Sequence, residues 1–401
     1  MLFTDLPTPQ VLVDRARLLS NIDRMQADAD AHAVRLRPHA KTHKIPAIAR
    51  WQLDRGAAGI CCAKLGEAEV FAGAGVEDIR LPYPVNPYNA PRLLALMESC
   101  RVSIIVDHPG VARGWSDVMH EAGRTLDVLV KVDVGTHRCG IDPATPQALE
   151  FVRLVASLPA LRLRGLLSHA GHSYGADCEE ALRAIARDEA ELLGRLAAAA
   201  RRDGIAIDEV SVGATPTARF SLAEPGVTEL RPGTYAYFDR TQVALGAATL
   251  QDCALTVLAM VVSKPAPDRI VLDCGSKTLS TDPPRGFWHP SAPPPQRGCR
   301  VGDPGAAAPG APLIGRPSGY GAVFADLDAT AVADDLLIER LSEEHAVVLV
   351  ASGSTPLEPG DFVRVLPNHV CVVSNLVDCV RLVEGREVVD TLAVAARGKI
   401  A

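Results

Sequence analysis

Lys41 lies between His39 and His43 in the run Leu36-Arg37-Pro38-His39-Ala40-Lys41-Thr42-His43-Lys44, directly after the apolar residues 34–36. A lysine whose pKa is lowered by burial can condense with a carbonyl cofactor, and the freed amine can then act as a base. Basic clusters of this kind are more often solvated loops. Here the context argues for chemistry. Residues 34–36 read as a strand and Pro46 as a helix start, and strand-to-helix junctions are where parallel α/β enzymes carry their reactive groups. Lys44 in the same motif and the more distant Lys64 are the rival lysines.

A second constellation is His369 and Cys371, separated by one residue. On a strand both side chains would share a face and could grip one cation. Imidazole with thiolate favours zinc, whereas a carboxylate in place of the thiolate suits manganese or magnesium. Two protein ligands leave positions for water and substrate, so such a cation can act as a Lewis acid. Two further segments, Gly213-Ala214-Thr215 and Gly233-Thr234-Tyr235, follow apolar residues and offer backbone N–H groups to a phosphate; either could equally be a tight turn.

These groups need a scaffold, and the pattern supplies one. Short apolar runs at residues 11–13, 58–62, 79–81, 103–106, 127–132, 163–168 and 209–212 alternate with amphipathic segments at 15–32, 64–74, 91–100, 110–122 and 179–203. About eight strand-helix alternations in roughly 240 residues suit a closed (β/α)8 barrel. A doubly wound open sheet is the alternative. Beyond residue 250 the rhythm changes to β-branched runs at 255–262, 269–273, 346–350, 362–366, 370–373, 380–383 and 388–394, punctuated by Gly and Asp, which predicts an antiparallel β-domain. Residues 283–319, dense in Pro, Gly and Ala, read as irregular loop. The expected division is a barrel over 12–248 and a β-domain over 249–401, with residues 1–11 joining the latter.

Composition removes several classes of function. A chain of 401 residues, 48% hydrophobic and 22% charged, is a soluble globular protein large enough for two domains. Its net charge is 41 − 48 = −7, without a long basic run and with 4% aromatics, so nucleic acid is not an expected partner. No apolar run is long enough to span a bilayer and the N-terminal residues lack a signal-peptide pattern, so no membrane association and a cytoplasmic location are expected. The ten cysteines lack tight paired spacing and are expected to be reduced.

Taken in order, seven segments resemble the D-threonine aldolase and D-serine dehydratase family of fold type III pyridoxal phosphate (PLP) enzymes. They are Thr8-Pro9, the Lys41 motif, Val132-Asp133-Val134-Gly135-Thr136-His137-Arg138-Cys139-Gly140, His169-Ala170-Gly171-His172-Ser173-Tyr174-Gly175, Glu229-Leu230-Arg231-Pro232-Gly233-Thr234-Tyr235, the stretch 262–269, and Pro367-Asn368-His369-Val370-Cys371. The resemblance implies a TIM-like barrel of the alanine racemase type with a C-terminal antiparallel β-domain carrying a metal site. It implies PLP on Lys41, which would also be the α-proton base. Arg138 would lie near the cofactor's phenolic oxygen, Tyr174 against the ring or substrate, and Thr215, Gly233, Thr234 and Tyr235 around the cofactor. Arg231 matches the racemase position facing the pyridine nitrogen.

Within this family, histidine with cysteine resembles the D-serine dehydratases and histidine with aspartate the D-threonine aldolases. Cys371 therefore points to a PLP- and metal-dependent lyase that eliminates water from a D-3-hydroxy amino acid, converting D-serine or D-threonine to a 2-oxo acid and ammonia. The residues after Cys371, Val372-Val373-Ser374-Asn375, lack the proline associated with the dehydratase motif. Retro-aldol cleavage to glycine and an aldehyde is the alternative, with His172 or His169 as the base at the β-hydroxyl. An amino-acid racemase and a non-catalytic PLP-binding protein are further readings. The resemblance also implies a homodimer.

Overall fold

The computed structural model describes residues 1–287 and 319–401. Eight parallel strands, Arg35–Leu36, Ile60–Cys61, Asp78–Pro84, Arg101–Val106, Leu126–Lys131, Leu161–Leu167, Glu209–Val212 and Glu229–Leu230, pair in chain order. The last pairs with the first. The first and second meet through a bridge between His39 and Cys61, with Cys61 N donating to Pro38 O at 2.7 Å and Ala58 N to Leu36 O at 2.8 Å. The sheet is therefore closed, and the barrel expectation is met.

Helices cover the barrel because their apolar residues recur at helical spacing. Glu179–Arg202 buries Leu182, Ala186, Ala190, Leu193, Leu196 and Ala197, with two glutamates in its first turn and two arginines in its last to complement the helix dipole. Pro146–Ser157 buries Ala148, Phe151, Val152 and Val155 in the same way, a helix absent from the sequence reading.

Among the described residues the second domain is built on a nine-stranded sheet. Three expectations are corrected here. Gln10–Asp14, read with the barrel rhythm, pairs instead with Leu255–Ala266 and Cys379–Glu384, so this sheet rather than the barrel receives the first strand. Its pairing with Cys379–Glu384 is parallel, which makes the sheet mixed rather than antiparallel. Residues 370–373 are not a strand, because Val370–Leu376 is a helix with His369 as its N-cap. Most of the stretch 283–319 lies outside the described residues. Among the described residues eight cysteines are free thiols, whereas Cys178 is disulfide-bonded, contrary to the expectation of full reduction. Among the described residues no helix is long and apolar enough to cross a membrane.

Inside the barrel, below the reactive end, ionic pairs replace part of the apolar filling. Glu229 is fully buried and accepts from Arg37 Nε at 2.8 Å, from Arg80, and from Ser211 Oγ at 2.5 Å. Ser211 in turn accepts from Arg231 at 2.5 Å, so one polar chain runs from this network up to the cavity wall. Burial alone would push the Glu229 carboxyl up, but Arg80 and Arg37 hold it well below the usual carboxylate range. Its stabilising contribution is thus complete above its unfolded pKa and is lost as pH falls toward the depressed folded value. Removing one partner of a buried ionic network leaves uncompensated charge. Glu229→Gln should lower unfolding free energy by about 3–5 kcal/mol at neutral pH, and by less as pH falls below about 4, measured by denaturant melts across that range.

Candidate active site

The strand Arg35–Leu36 leads into a short 3-10 turn, Ala40–Thr42, which fixes Lys41 at the C-terminal end of the barrel. His39 caps this turn by accepting from Lys41 N at 3.4 Å. Lys41 lines two adjoining cavities. Lys44 is buried and ion-paired with Glu67 at 2.9 Å, and Lys64 lies over the Tyr83 ring, so neither rival reaches them.

The first cavity is lined by His39, Thr215, Arg231, Gly233 and Thr234, among others; the second, of about 330 Å³, by Asp239, Asp282, Arg285, His369 and Cys371. Lys41, Arg138, His169, Tyr174 and Thr234 border both. Arg138 gets there because its loop is pinched. Gly140 N donates to Asp107 at 2.9 Å, Asp133 accepts from Gly135 N and His137 N, and a Cβ at Gly140 would strike the Asp133 nitrogen at 2.6 Å.

His169 Nδ1 bonds the Gly213 carbonyl at 2.6 Å. A carbonyl accepts, so Nδ1 carries the proton and Nε2 keeps its lone pair. Burial first, then the charges of Lys41, Lys131 and Arg138, push this imidazole down to about 3, which keeps it neutral. The structure brings His169, and not His172, to the cavity wall. His172 is half-buried behind Thr136, whose hydroxyl lies 3.5 Å from its Nδ1, because Thr136 ties the two loops together by donating to His169 O at 2.7 Å. Tyr174 is half-buried, and the desolvation of its hydroxyl pushes the phenol up, so it stays a donor. Tyr235 points elsewhere: its hydroxyl accepts from Gln52 at 2.9 Å in the core of the β-domain interface, and the side chain borders neither cavity.

His369 and Cys371 come together by helix geometry, not strand alternation. His369 is extended at the N-cap, and Cys371 lies in the first turn beyond it. Asp282 accepts from His369 Nδ1, which orients the ring, and Cys371 Sγ reaches Thr42 Oγ1 at 3.3 Å, beside the lysine. Burial opposes charge on both, yet Cys371 lifts the imidazole to about 10, and His369, followed by Lys41, brings the thiol below its ordinary value. Among the described residues no third His, Cys, Asp or Glu completes a ligand set.

The model of the alanine racemase N-terminal domain matches residues 13–241, and that of a serine dehydratase domain residues 254–383. A D-threonine aldolase of Arthrobacter sp is 35% identical over 398 residues, covering 98% of this chain and 93% of that protein. A D-threo-3-hydroxyaspartate dehydratase of Delftia sp. strain HT23 is 34% identical over 375 residues, covering 91% of each. The chain belongs to the D-threonine aldolase and D-serine dehydratase family. The solved Delftia dehydratase superposes with a TM-score of 0.85 at 31% identity over 98% of both chains. Structures of that enzyme include a cysteine-to-alanine variant in a metal-free form and a histidine-to-alanine variant, the two replaced residues standing two positions apart.

Membership of this family makes the chain a PLP-dependent lyase, and its residues fit the cofactor. The Thr215 hydroxyl is buried without a partner among the described residues, on the wall of the first cavity next to Gly233 and Thr234. A phosphate oxygen satisfies such a group. Sequence reasoning missed Asp282 and Arg285, which lie in a Pro-rich stretch without periodicity, and Thr42, which carries no motif signal of its own. Gly233 presses on the lysine turn, where an added Cβ would lie 2.8 Å from Thr42 Oγ1 and 3.1 Å from His39 O. Gly233→Ala should therefore cost about 1–3 kcal/mol of stability, read from the denaturation midpoint.

Proposed function

We propose that this lyase removes the β-hydroxyl of a D-3-hydroxy amino acid, giving a 2-oxo acid and ammonia. The observation that carries the reading is Cys371 beside His369 on the wall of the cavity that also holds Lys41. It is supported by the Delftia dehydratase, for which structures exist with a histidine and a cysteine at the same spacing replaced by alanine, the cysteine variant being described in a metal-free form.

Bound PLP supplies an electron sink for the substrate's Cα, and a divalent cation supplies Lewis acidity at the leaving oxygen. The chain's own residues do the rest. Lys41 Nζ anchors the cofactor and takes the Cα proton. Thr215, Gly233 and Thr234 hold the phosphate, and Arg138, always charged, holds the phenolic oxygen. His369, oriented through Nδ1 by Asp282, and the Cys371 thiolate, steadied by Thr42, hold the cation. Zinc is the favoured ion because of the thiolate, with manganese and magnesium as the alternatives. His169 offers Nε2 as an acceptor inside the cavity. The same reading takes the protein as a cytoplasmic homodimer.

Retro-aldol cleavage to glycine and an aldehyde is the second reading, favoured by the 35% identity to a D-threonine aldolase. It requires a base at the β-hydroxyl. His169, whose basicity is strongly suppressed, serves that step poorly.

Enzyme loaded with PLP and zinc, given D-serine or D-threonine, should release pyruvate or 2-oxobutyrate with ammonia, and Lys41→Ala should abolish both the keto acid and the visible absorbance of lysine-linked cofactor. Glycine and acetaldehyde without keto acid would contradict the elimination.

A further inference from the structure

Residues 282–287 run along the wall of the second cavity as a strap fixed at both ends. At one end Asn368 Nδ2 donates to the Asp282 carbonyl at 3.0 Å, while the Asp282 carboxylate holds His369. At the other, Phe287 N donates to Ala244 O at 3.0 Å, and the Phe287 ring packs against Leu182, Phe220 and Leu245. Gly286, at φ +102°, is pressed so closely to the barrel that a Cβ there would lie 2.6 Å from that of Ala244. The strap therefore has a defined course.

Arg285 lies between the two anchors. Its side chain borders the cavity that holds Lys41, His369 and Cys371, and does not border the cofactor cavity around Thr215 and Gly233. Asp282, the nearest acid on the strap, is engaged with His369, and Arg285 forms no ion pair with any described residue. A guanidinium presents a planar fork of donors that matches a carboxylate bidentately. Its position decides which carboxylate. The β-carbon of a substrate on Lys41 must face the His369–Cys371 pair, and Arg285 is on the same strap as the carboxylate that orients His369.

We infer that Arg285 binds a carboxylate attached to the substrate's β-carbon, so that a D-3-hydroxy amino diacid of the 3-hydroxyaspartate class is preferred over D-serine and D-threonine. The inference rests on the proposed chemistry at Lys41 and the His369–Cys371 pair. In balance, the Cα proton passes to Lys41 Nζ and the β-hydroxyl leaves as water. Hydrolysis of the resulting enamine consumes one water and releases ammonia, leaving a 2-oxo diacid.

D-Aspartate and D-asparagine match in size, differ in side-chain charge and lack a β-hydroxyl, so neither can undergo the reaction. Calorimetric titration of the PLP- and zinc-loaded enzyme should show D-aspartate binding at least about 10-fold tighter. Arg285→Gln should remove that difference while leaving D-asparagine affinity within about twofold, and Arg285→Lys should restore part of it. In parallel, kcat/KM for D-threo-3-hydroxyaspartate should fall at least about 10-fold more in Arg285→Gln than kcat/KM for D-threonine. Equal affinities in the unmodified enzyme, or an Arg285→Gln variant that weakens both ligands alike, overturn the inference. Loss of turnover is reported separately: an enzyme that binds the ligand pair as expected but eliminates water from none of the hydroxy amino acids refutes the reaction and not the role of Arg285.

Discussion

The turn that carries Lys41 is held from two sides, and the site depends on this clamp. From the barrel, Gly233 packs so closely against Thr42 and His39 that an added Cβ would lie 2.8 Å from Thr42 Oγ1 and 3.1 Å from His39 O. From the β-domain, Cys371 reaches the Thr42 hydroxyl. Lys41 and Cys371 thus approach each other through one threonine, although 329 residues of sequence separate Thr42 from Cys371.

Beneath the clamp, charge is distributed by burial. Arg37, Arg80 and Glu229, joined by Asp78 and Glu209, form an ionic network whose polar chain continues through Ser211 to Arg231, so the arginine on the cavity wall is braced from below. Arg231 also donates to the Ser168 and Val212 carbonyls, which spends its hydrogen-bonding capacity on positioning. Above it, burial first and then the nearby positive groups push the His39 and His169 imidazoles down. The cavity consequently presents few fixed proton carriers beyond Lys41, which suits a reaction whose base must be one specific amine.

Much of this was legible in the sequence, because the groups that do chemistry carry local signals. Lys41 stood out by its neighbours, and the barrel by its alternation. Other features depend on partners that no local pattern names. Val11-Leu12-Val13 reads the same whether it lies in a buried parallel barrel or in the middle of a mixed sheet, and only pairing with Leu255–Ala266 and Cys379–Glu384 decides. His369 and Cys371 were identified on the wrong backbone: Val370, Val372 and Val373 favour a strand by propensity, and the helix forms because Asp239 accepts from Val370 N and Thr241 donates to Asn368 O. The helix Pro146–Ser157 did announce itself, through Thr145-Pro146 and apolar residues at 148, 151, 152 and 155. Tyr235 borders the cavity in sequence only, since the 3-10 turn Thr234–Ala236 rotates its ring into the core.

The central claim is that one histidine nitrogen and one cysteine sulfur, set beside the cofactor lysine, share a single divalent cation. X-ray absorption at the zinc edge of the metal-loaded enzyme tests it directly. One sulfur scatterer at about 2.3 Å and one imidazole nitrogen at about 2.0–2.1 Å are expected, with oxygen filling the remaining positions. A zinc shell of nitrogen and oxygen without sulfur would contradict it.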